Sequence, residues 1–290
     1  MLPSAPDPRA LRRAFSRAAP GFAAADFFHA EIRSRLLERL DFVRLAPRVV
    51  ADLGSGPGDG AAALASRYPE ARILAVDSSA AMCGEARRRH PADGPHSLCA
   101  DAGALPLAAD SVDLVFSNLM LHCCPEIGAA LQEVRRVLRH PGLFTFTTLG
   151  PDSLIELRSA WAEADPLPHL AAFPEMHLLG DALVRAGFAE PVMATERLTV
   201  TYPDISRLAA DARAVGAVNV AAGRRRSLTA PGRWRALQAA YDRHRDADGR
   251  LPVTMEIIFG QAWAGIPRQR GDDGEVHVPL AGLQRRRPAP

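Results

Sequence analysis

At 290 residues the chain is longer than most single domains, yet one α/β domain with insertions reaches this size and can bury a large core. With 48% apolar residues, a mean hydropathy near zero and no apolar run of ~20 residues, it reads as a globular chain without a bilayer span. A net charge of +2 argues against a nucleic-acid binder, and all 35 basic residues are Arg, which excludes lysine Schiff bases, a lysine general base and a P-loop lysine.

Met1–Arg13 holds three prolines and three arginines but lacks the apolar stretch of a secretory signal, so a cytoplasmic location is expected. Cys83, Cys99, Cys123 and Cys124 show no C-x-x-C spacing and read as reduced thiols, and no metal site is expected. Helical periodicity over residues 9–40, interrupted at Pro20-Gly21, predicts two helices ahead of the first strand. From Arg48 the pattern turns into alternating βα units. Strands are predicted at Val49–Leu53, Arg72–Val76, His96–Ala100, Val112–Ser117 and Leu143–Leu149. The helices between them run up to Arg67, over about Ser79–Arg89 and over about Glu126–Leu138. Such alternation means a parallel sheet. Further helices follow near Ser153–Ala164 and Leu178–Ala186, a strand at Val192–Tyr202, helices over roughly Asp204–Val220 and Arg233–His244, and a last strand at Val253–Trp263. The tail from Ile266, rich in Arg, Asp, Gly and Pro, is expected to be disordered.

The strongest motif is Val49-Val50-Ala51-Asp52-Leu53-Gly54-Ser55-Gly56-Pro57-Gly58-Asp59-Gly60, an apolar strand entering a glycine turn that opens a helix. Glycines allow the sharp bend and let a ligand touch the main chain. Asp77 closes the second strand nineteen positions after Gly58, where a carboxylate accepts both ribose hydroxyls of a nucleoside. A dinucleotide would want Gly-x-Gly-x-x-Gly; here Gly54 begins Gly-x-Gly-x-Gly, and Asp52 and Asp59 would repel a pyrophosphate. S-adenosylmethionine (SAM) carries no phosphate and bears a sulfonium and an ammonium, so it suits these acids. Asp101, after the third strand, sits where methyltransferases of this fold meet the adenine amino group, and Asn118 ends the fourth strand at the ligand-binding edge.

Beyond these shared motifs, the chain resembles the malonyl-[acyl-carrier protein] O-methyltransferases of biotin synthesis from about Phe15 to Trp263. The resemblance rests on Phe15-Ser16-Arg17-Ala18-Ala19, Ser117-Asn118-Leu119-Met120-Leu121-His122, Phe144 through Leu154, Ala214-Val215-Gly216-Ala217-Val218-Asn219 and Gly249-Arg250-Leu251-Pro252-Val253-Thr254. The chain departs from the family at Phe22 and Met255, where Tyr is usual, at Cys123, where Trp is usual, and at Arg139-His140-Pro141-Gly142 in place of Arg-Pro-Gly-Gly. Asp152-Ser153-Leu154 and Gly187-Phe188 are also similar to a mitochondrial assembly-factor branch of the same fold. The alternatives are therefore an assembly factor or hydroxylase acting on a protein, or a methyltransferase of another small acid.

The resemblance implies the class I SAM-dependent methyltransferase fold, α/β and Rossmann-like, with a seven-stranded mostly parallel sheet and helices on both faces. It implies N-terminal helices over 1–46, a SAM-binding domain over 47–265 with a helical lid at about 204–245, and a tail over 266–290. SAM contacts are expected from Asp52, Gly54, Ser55, Gly56, Gly58, Asp77, Ser78, Met82, Asp101, Ala102 and Asn118. The implied substrate is malonyl-acyl carrier protein or malonyl-CoA, with the enzyme acting as a monomer on neither nucleic acid nor membrane. Its free carboxylate is ionised at neutral pH and needs orientation more than a base. Arg213 is nominated to hold that carboxylate and His122 to lie near the transferred methyl. From Arg213 to Tyr241 the chain has six Arg (213, 224, 225, 226, 233 and 235) and no acid, a basic stretch expected to be lid and carrier-docking face.

Overall fold

The computed structural model describes residues 6–90, 94–221, 223–225, 227–265, 269–270 and 276–277. Seven strands form one sheet: β1 (Val49–Leu53), β2 (Arg72–Asp77), β3 (His96–Cys99), β4 (Val112–Ser117), β5 (Leu138–Leu149), β6 (Phe188–Tyr202) and β7 (Leu251–Ala264). Their order is β3-β2-β1-β4-β5-β7-β6, and the chain reverses direction on the sheet at β1, between β2 and β4. The first five strands are parallel, as the βα alternation requires, whereas β7 runs antiparallel to both β5 and β6. The antiparallel strand follows from chain order, because the helical segment between β6 and β7 delivers the chain back to the sheet from the end at which β6 finished.

Helices α1 (Pro8–Ala18) and α2 (Phe27–Arg39) precede the sheet, joined by a 3-10 segment at Ala19–Ala25 where Pro20-Gly21 interrupts α-helical bonding. Asp7 caps α1, accepting from the amides of Arg9 and Ala10, with proline at the first turn. Helices α3 (Asp59–Arg67), α4 (Ala80–Arg89) and α5 (Ile127–Val137) connect the parallel strands, and α6 (Ile155–Ala164) and α7 (Met176–Arg185) follow β5. Two apolar layers sandwich the sheet. One holds Leu121, Leu131, Val134, Phe144, Phe146 and Leu183; the other holds Ile32, Leu36, Leu64, Ile73, Phe116 and Phe259. Helices therefore cover both faces, and β1 and β4 read as nearly continuous apolar runs because both of their faces are buried.

Several element ends differ from expectation. β5 begins at Leu138 directly after α5, and β6 begins at Phe188, so both strands are longer than their apolar alternation shows. The helix expected over Asp204–Val220 is α8 (Ile205–Ala214), which stops where Gly216 takes φ +76° and packs on Phe15. The next helix, α9 (Pro231–Asp242), starts earlier than Arg233 because Pro231 supplies its first turn. Together α8, α9 and α6 enclose a third apolar cluster of Ala160, Tyr202, Leu208, Leu237 and Tyr241, which seats these helices on the sheet end. Most of the tail expected to be disordered lies outside the described residues, where only the pairing of Gln269–Arg270 with Val276–His277 is seen. Among the described residues no helix is long and apolar enough to cross a membrane.

Gly260, on β7, lies under the ring of Phe146: a Cβ there would stand 2.2 Å from the ring's Cζ. Phe146 is fully buried and stacked on Phe144 at 4.9 Å, so the ring has nowhere to retreat. Gly260→Ala is expected to cost about 1–3 kcal/mol by overpacking. A melting curve should show a clear fall in Tm, and an unchanged Tm would refute the packing argument.

Candidate functional site

The turn between β1 and α3 is built from three residues that only glycine tolerates cheaply, with φ of +78° at Gly54, +53° at Gly56 and +93° at Gly58. Gly54 also lies against Met120, whose Cγ a Cβ would meet at 2.4 Å, while a Cβ on Gly56 would meet only open space. The turn is thus packed behind and bare in front. Asp77, at the end of β2, holds it: one carboxylate oxygen accepts from the Gly56 amide at 3.0 Å and the other from the Ser79 amide at 2.8 Å. Burial pushes the Asp77 pKa up while those two amide donors pull it down. Each oxygen keeps a lone pair for a further donor.

In front of the turn opens a cavity of about 700 Å³, roofed by α1, α8 and the loop that follows α8. Of the expected contact residues, Gly54, Gly56, Asp77, Ser78, Met82, Asp101, Ala102 and Asn118 line it, as do His122 and Arg213. Asp52, Ser55 and Gly58 do not. Asp52 is buried beneath α3, its Oδ2 2.6 Å from where a Cβ on Gly60 would stand, and that oxygen has no hydrogen-bond partner. Burial raises its pKa to about 7, against the pull of the Arg33 charge and with a further push from Asp77. Gly58 closes the turn as the cap of α3 against His90.

Two further readings change on contact with the structure. Asp59, expected to repel a pyrophosphate, is held by Arg89 through two 2.7 Å bonds, so its charge is locally neutralised. Of the two acids expected to repel a pyrophosphate, Asp59 is thus paired and Asp52 lies outside the cavity, which leaves the Gly-x-Gly-x-Gly spacing of the turn as the feature that departs from a dinucleotide site. Asn118 lines the cavity but donates to the His29 carbonyl and accepts from the Thr147 hydroxyl, which makes it a brace between β4, β5 and α2. Asp101 is exposed, with one oxygen engaged by the Gly103 amide in a local turn.

His122 lies in a 3-10 turn (Leu121–Cys123). Its Nδ1 is 3.3 Å from the Thr148 hydroxyl and its ring stands edge-on to Phe173. Burial, with a small addition from His29, lowers its pKa to about 3, so the ring is neutral. Cys123 and Cys124 line the same wall, and burial raises both thiols to about 12, out of nucleophilic range. Phe22 and Met255, the positions without the usual hydroxyl, both line the cavity; Phe22 is buried against Met82 and its ring contacts His29 at 5.1 Å.

Sequence reasoning missed His29, whose pKa burial lowers to about 4, and the cluster of Trp161, His169 and Asp165. Trp161 and His169 stack at 3.6 Å, and Asp165 faces His169 at 3.2 Å, Arg225 at 3.1 Å and Arg233 at 3.5 Å. Spacing gives no signal for it, since its members come from α6, the following loop and the lid.

A methyltransferase-domain family model matches residues 51–146. The malonyl-[acyl-carrier protein] O-methyltransferase of Laribacter hongkongensis is 45% identical over 279 residues, covering 92% of this chain and 94% of its own. That of Gallionella capsiferriformans is 43% identical over 277 residues, covering 93% and 95%. The chain belongs to the malonyl-[acyl-carrier protein] O-methyltransferase family. Solved structures agree on the fold: the YcgJ protein from Bacillus subtilis gives a TM-score of 0.59 at 17% identity, covering 81% of this chain and 99% of that one. A putative Haloferax volcanii methyltransferase, solved with its Trm112 activator, gives 0.57 at 20% identity, covering 89% and 99%.

The cofactor of this methyltransferase is SAM, and the site suits it. The bare front of the turn admits an amino-acid moiety against the main chain, and the spare lone pairs of Asp77 match two ribose hydroxyls. Arg33 and Arg89, whose charges act on this end of the sheet, are committed to Asp26 and Asp59.

The buried acid makes stability depend on pH. Asp52 titrates near 7 in the folded chain against an ordinary value of 3.8, so between these the folded state holds the extra proton and this residue's contribution to stability falls as pH rises. His29 and His122, with lowered values, act in the opposite sense below about 6.5. Subtracting urea-unfolding curves of Asp52→Asn from those of the native chain removes the histidine contribution. The difference is expected to move against the native chain from about pH 5 to about pH 7, on the order of 1 kcal/mol per unit; a flat difference would contradict the assignment.

Proposed function

We propose that this chain methylates the free carboxylate of malonyl-acyl carrier protein, using SAM, in an early step of biotin synthesis. The observation that carries the reading is the coincidence of a SAM-type turn and Asp77 with a roofed, largely apolar cavity, in a chain whose relatives bear this activity in their names. Bound against the turn, SAM would supply an electrophilic methyl group. The substrate carboxylate is already ionised at neutral pH, so the protein's task is to orient it and to exclude water. The absence of hydroxyls at Phe22 and Met255 is tolerable for that reason, since no general base is needed.

Among the cavity residues, Arg213 is proposed to orient the carboxylate: it lies at the end of α8, and no ion pair among the described residues occupies it. His122, neutral and fixed by Thr148 and Phe173, is proposed to lie near the transferred methyl, where it adds no charge that would draw on the nucleophile. Asp77, Ser78, Met82, Asp101 and Ala102 are proposed to hold the nucleoside. The helices over residues 204–245 serve as a lid, with the N-terminal helices as the other half of the roof. The four cysteines are all unpaired, which supports a reducing, cytoplasmic setting, and we read the enzyme as a monomer.

Incubation with methyl-labelled SAM and malonyl-acyl carrier protein, malonyl-CoA or free malonate tests the reading. Label is expected in the thioesters and not in free malonate; label in none of them would overturn it. In the same assay Arg213→Ala is expected to raise KM for the malonyl thioester about tenfold with SAM binding unchanged, and an unchanged KM would remove Arg213 from the role.

A further inference from the structure

Three of the six arginines over residues 213–241 that the sequence offers as a docking face are consumed inside the fold. Arg224 and Arg225, adjacent in the chain, fork to two acids on different elements, Asp7 at the start of α1 and Asp165 at the end of α6. Arg233 also approaches Asp165 at 3.5 Å. Together with the Asp7 amide bonded to the Val220 carbonyl at 2.9 Å, these contacts fasten the roof; charges neutralised in this way project little field to a partner. Arg226 lies outside the described residues.

Helix α1 is different. Arg9, Arg13 and Arg17 recur every four residues along it, which places them in one stripe about 12 Å long. All three are exposed, the helix contains no acid, and no ion pair among the described residues involves them. The opposite side of the helix carries Ala14 and Ala18, both buried, while Leu11, Arg12 and Phe15 line the cavity. Like charges four residues apart destabilise a helix, and Arg9 in the first turn also opposes the helix dipole. Asp7 caps the first turn, but among the described residues no acid pairs with Arg9, Arg13 or Arg17, so the stripe is left open to a partner outside the chain.

We propose that this stripe on α1 is the docking face for an acidic carrier protein, which seats an acidic helix on Arg9, Arg13 and Arg17 and passes its acyl-bearing arm by Arg12 into the cavity. The proposal rests on the malonyl-carrier reading above. A cationic stripe meeting an anionic helix steers encounter and fixes orientation, and its effect weakens with salt.

The test compares two substrates that share the reacting group: malonyl-acyl carrier protein, and malonyl-pantetheine, which has the arm but no protein. The variant R9E/R13E/R17E avoids every cavity-lining residue. It is expected to raise KM for the carrier substrate roughly tenfold or more at low salt, to shrink that difference at high salt, and to leave malonyl-pantetheine turnover within about twofold, which also shows that the variant folds. Arg235→Glu, an exposed charge on α9, is expected to leave both substrates unchanged. If the unaltered enzyme methylates both substrates and the triple variant keeps its carrier KM, the docking face is wrong; if Arg235→Glu alone raises that KM, docking belongs to the lid. If the unaltered enzyme methylates neither substrate, the underlying reading falls and the proposal falls with it.

Discussion

The whole site depends on one carboxylate that serves two backbones. Asp77 ends β2, yet its oxygens accept from Gly56 in the turn after β1 and from Ser79 at the start of α4. Two neighbouring βα units are thereby locked in register at the edge where the sheet order reverses, and the cavity floor becomes a fixed surface. A carboxylate buried there is costly unless it is hydrogen-bonded, and the two amides supply that compensation while leaving acceptor capacity facing the ligand. Everything above the floor is built from less regular parts.

The roof shows how distant segments are made to act together. Helix α1 and the loop after α8 are joined by Asp7 to Arg224 and by Phe15 against Gly216, while the neighbouring Arg225 runs to Asp165 beyond α6. Apolar packing of α8 and of α9, which carries Tyr241, against Tyr202 and Ala160 seats these helices on the sheet end, beside the ion pairs that tie the loop after α8 to α1 and to the end of α6. Such pairs stabilise little when exposed, but Asp165 is fully enclosed, and three cationic or imidazole side chains around it match a charge that would otherwise be stranded.

What the sequence made legible followed from local physics. The β1 turn, the strand alternation, the carboxylate at position 77 and the order of elements each leave a short-range trace in composition or spacing. The antiparallel β7 left none, because strand direction depends on how the helices between β6 and β7 return the chain to the sheet. The inward burial of Asp52, the bracing role of Asn118 and the pairing of Asp59 with Arg89 were equally hidden, each decided by a residue from another element. The same applies to charge: the basic run in the lid stood out in sequence, yet Asp7 and Asp165 absorb much of it, whereas the shorter run in α1 stays free because a four-residue spacing turns it away from the core.

On the function proposed above, the Asp77-clamped turn is what grips the sulfonium nucleoside. Isothermal titration of adenosylhomocysteine into the native chain and into Asp77→Asn tests it most directly. Saturable heat is expected with the native chain and at least about tenfold weaker binding with the variant. No heat with adenosylhomocysteine, alongside binding of a nicotinamide dinucleotide, would contradict it.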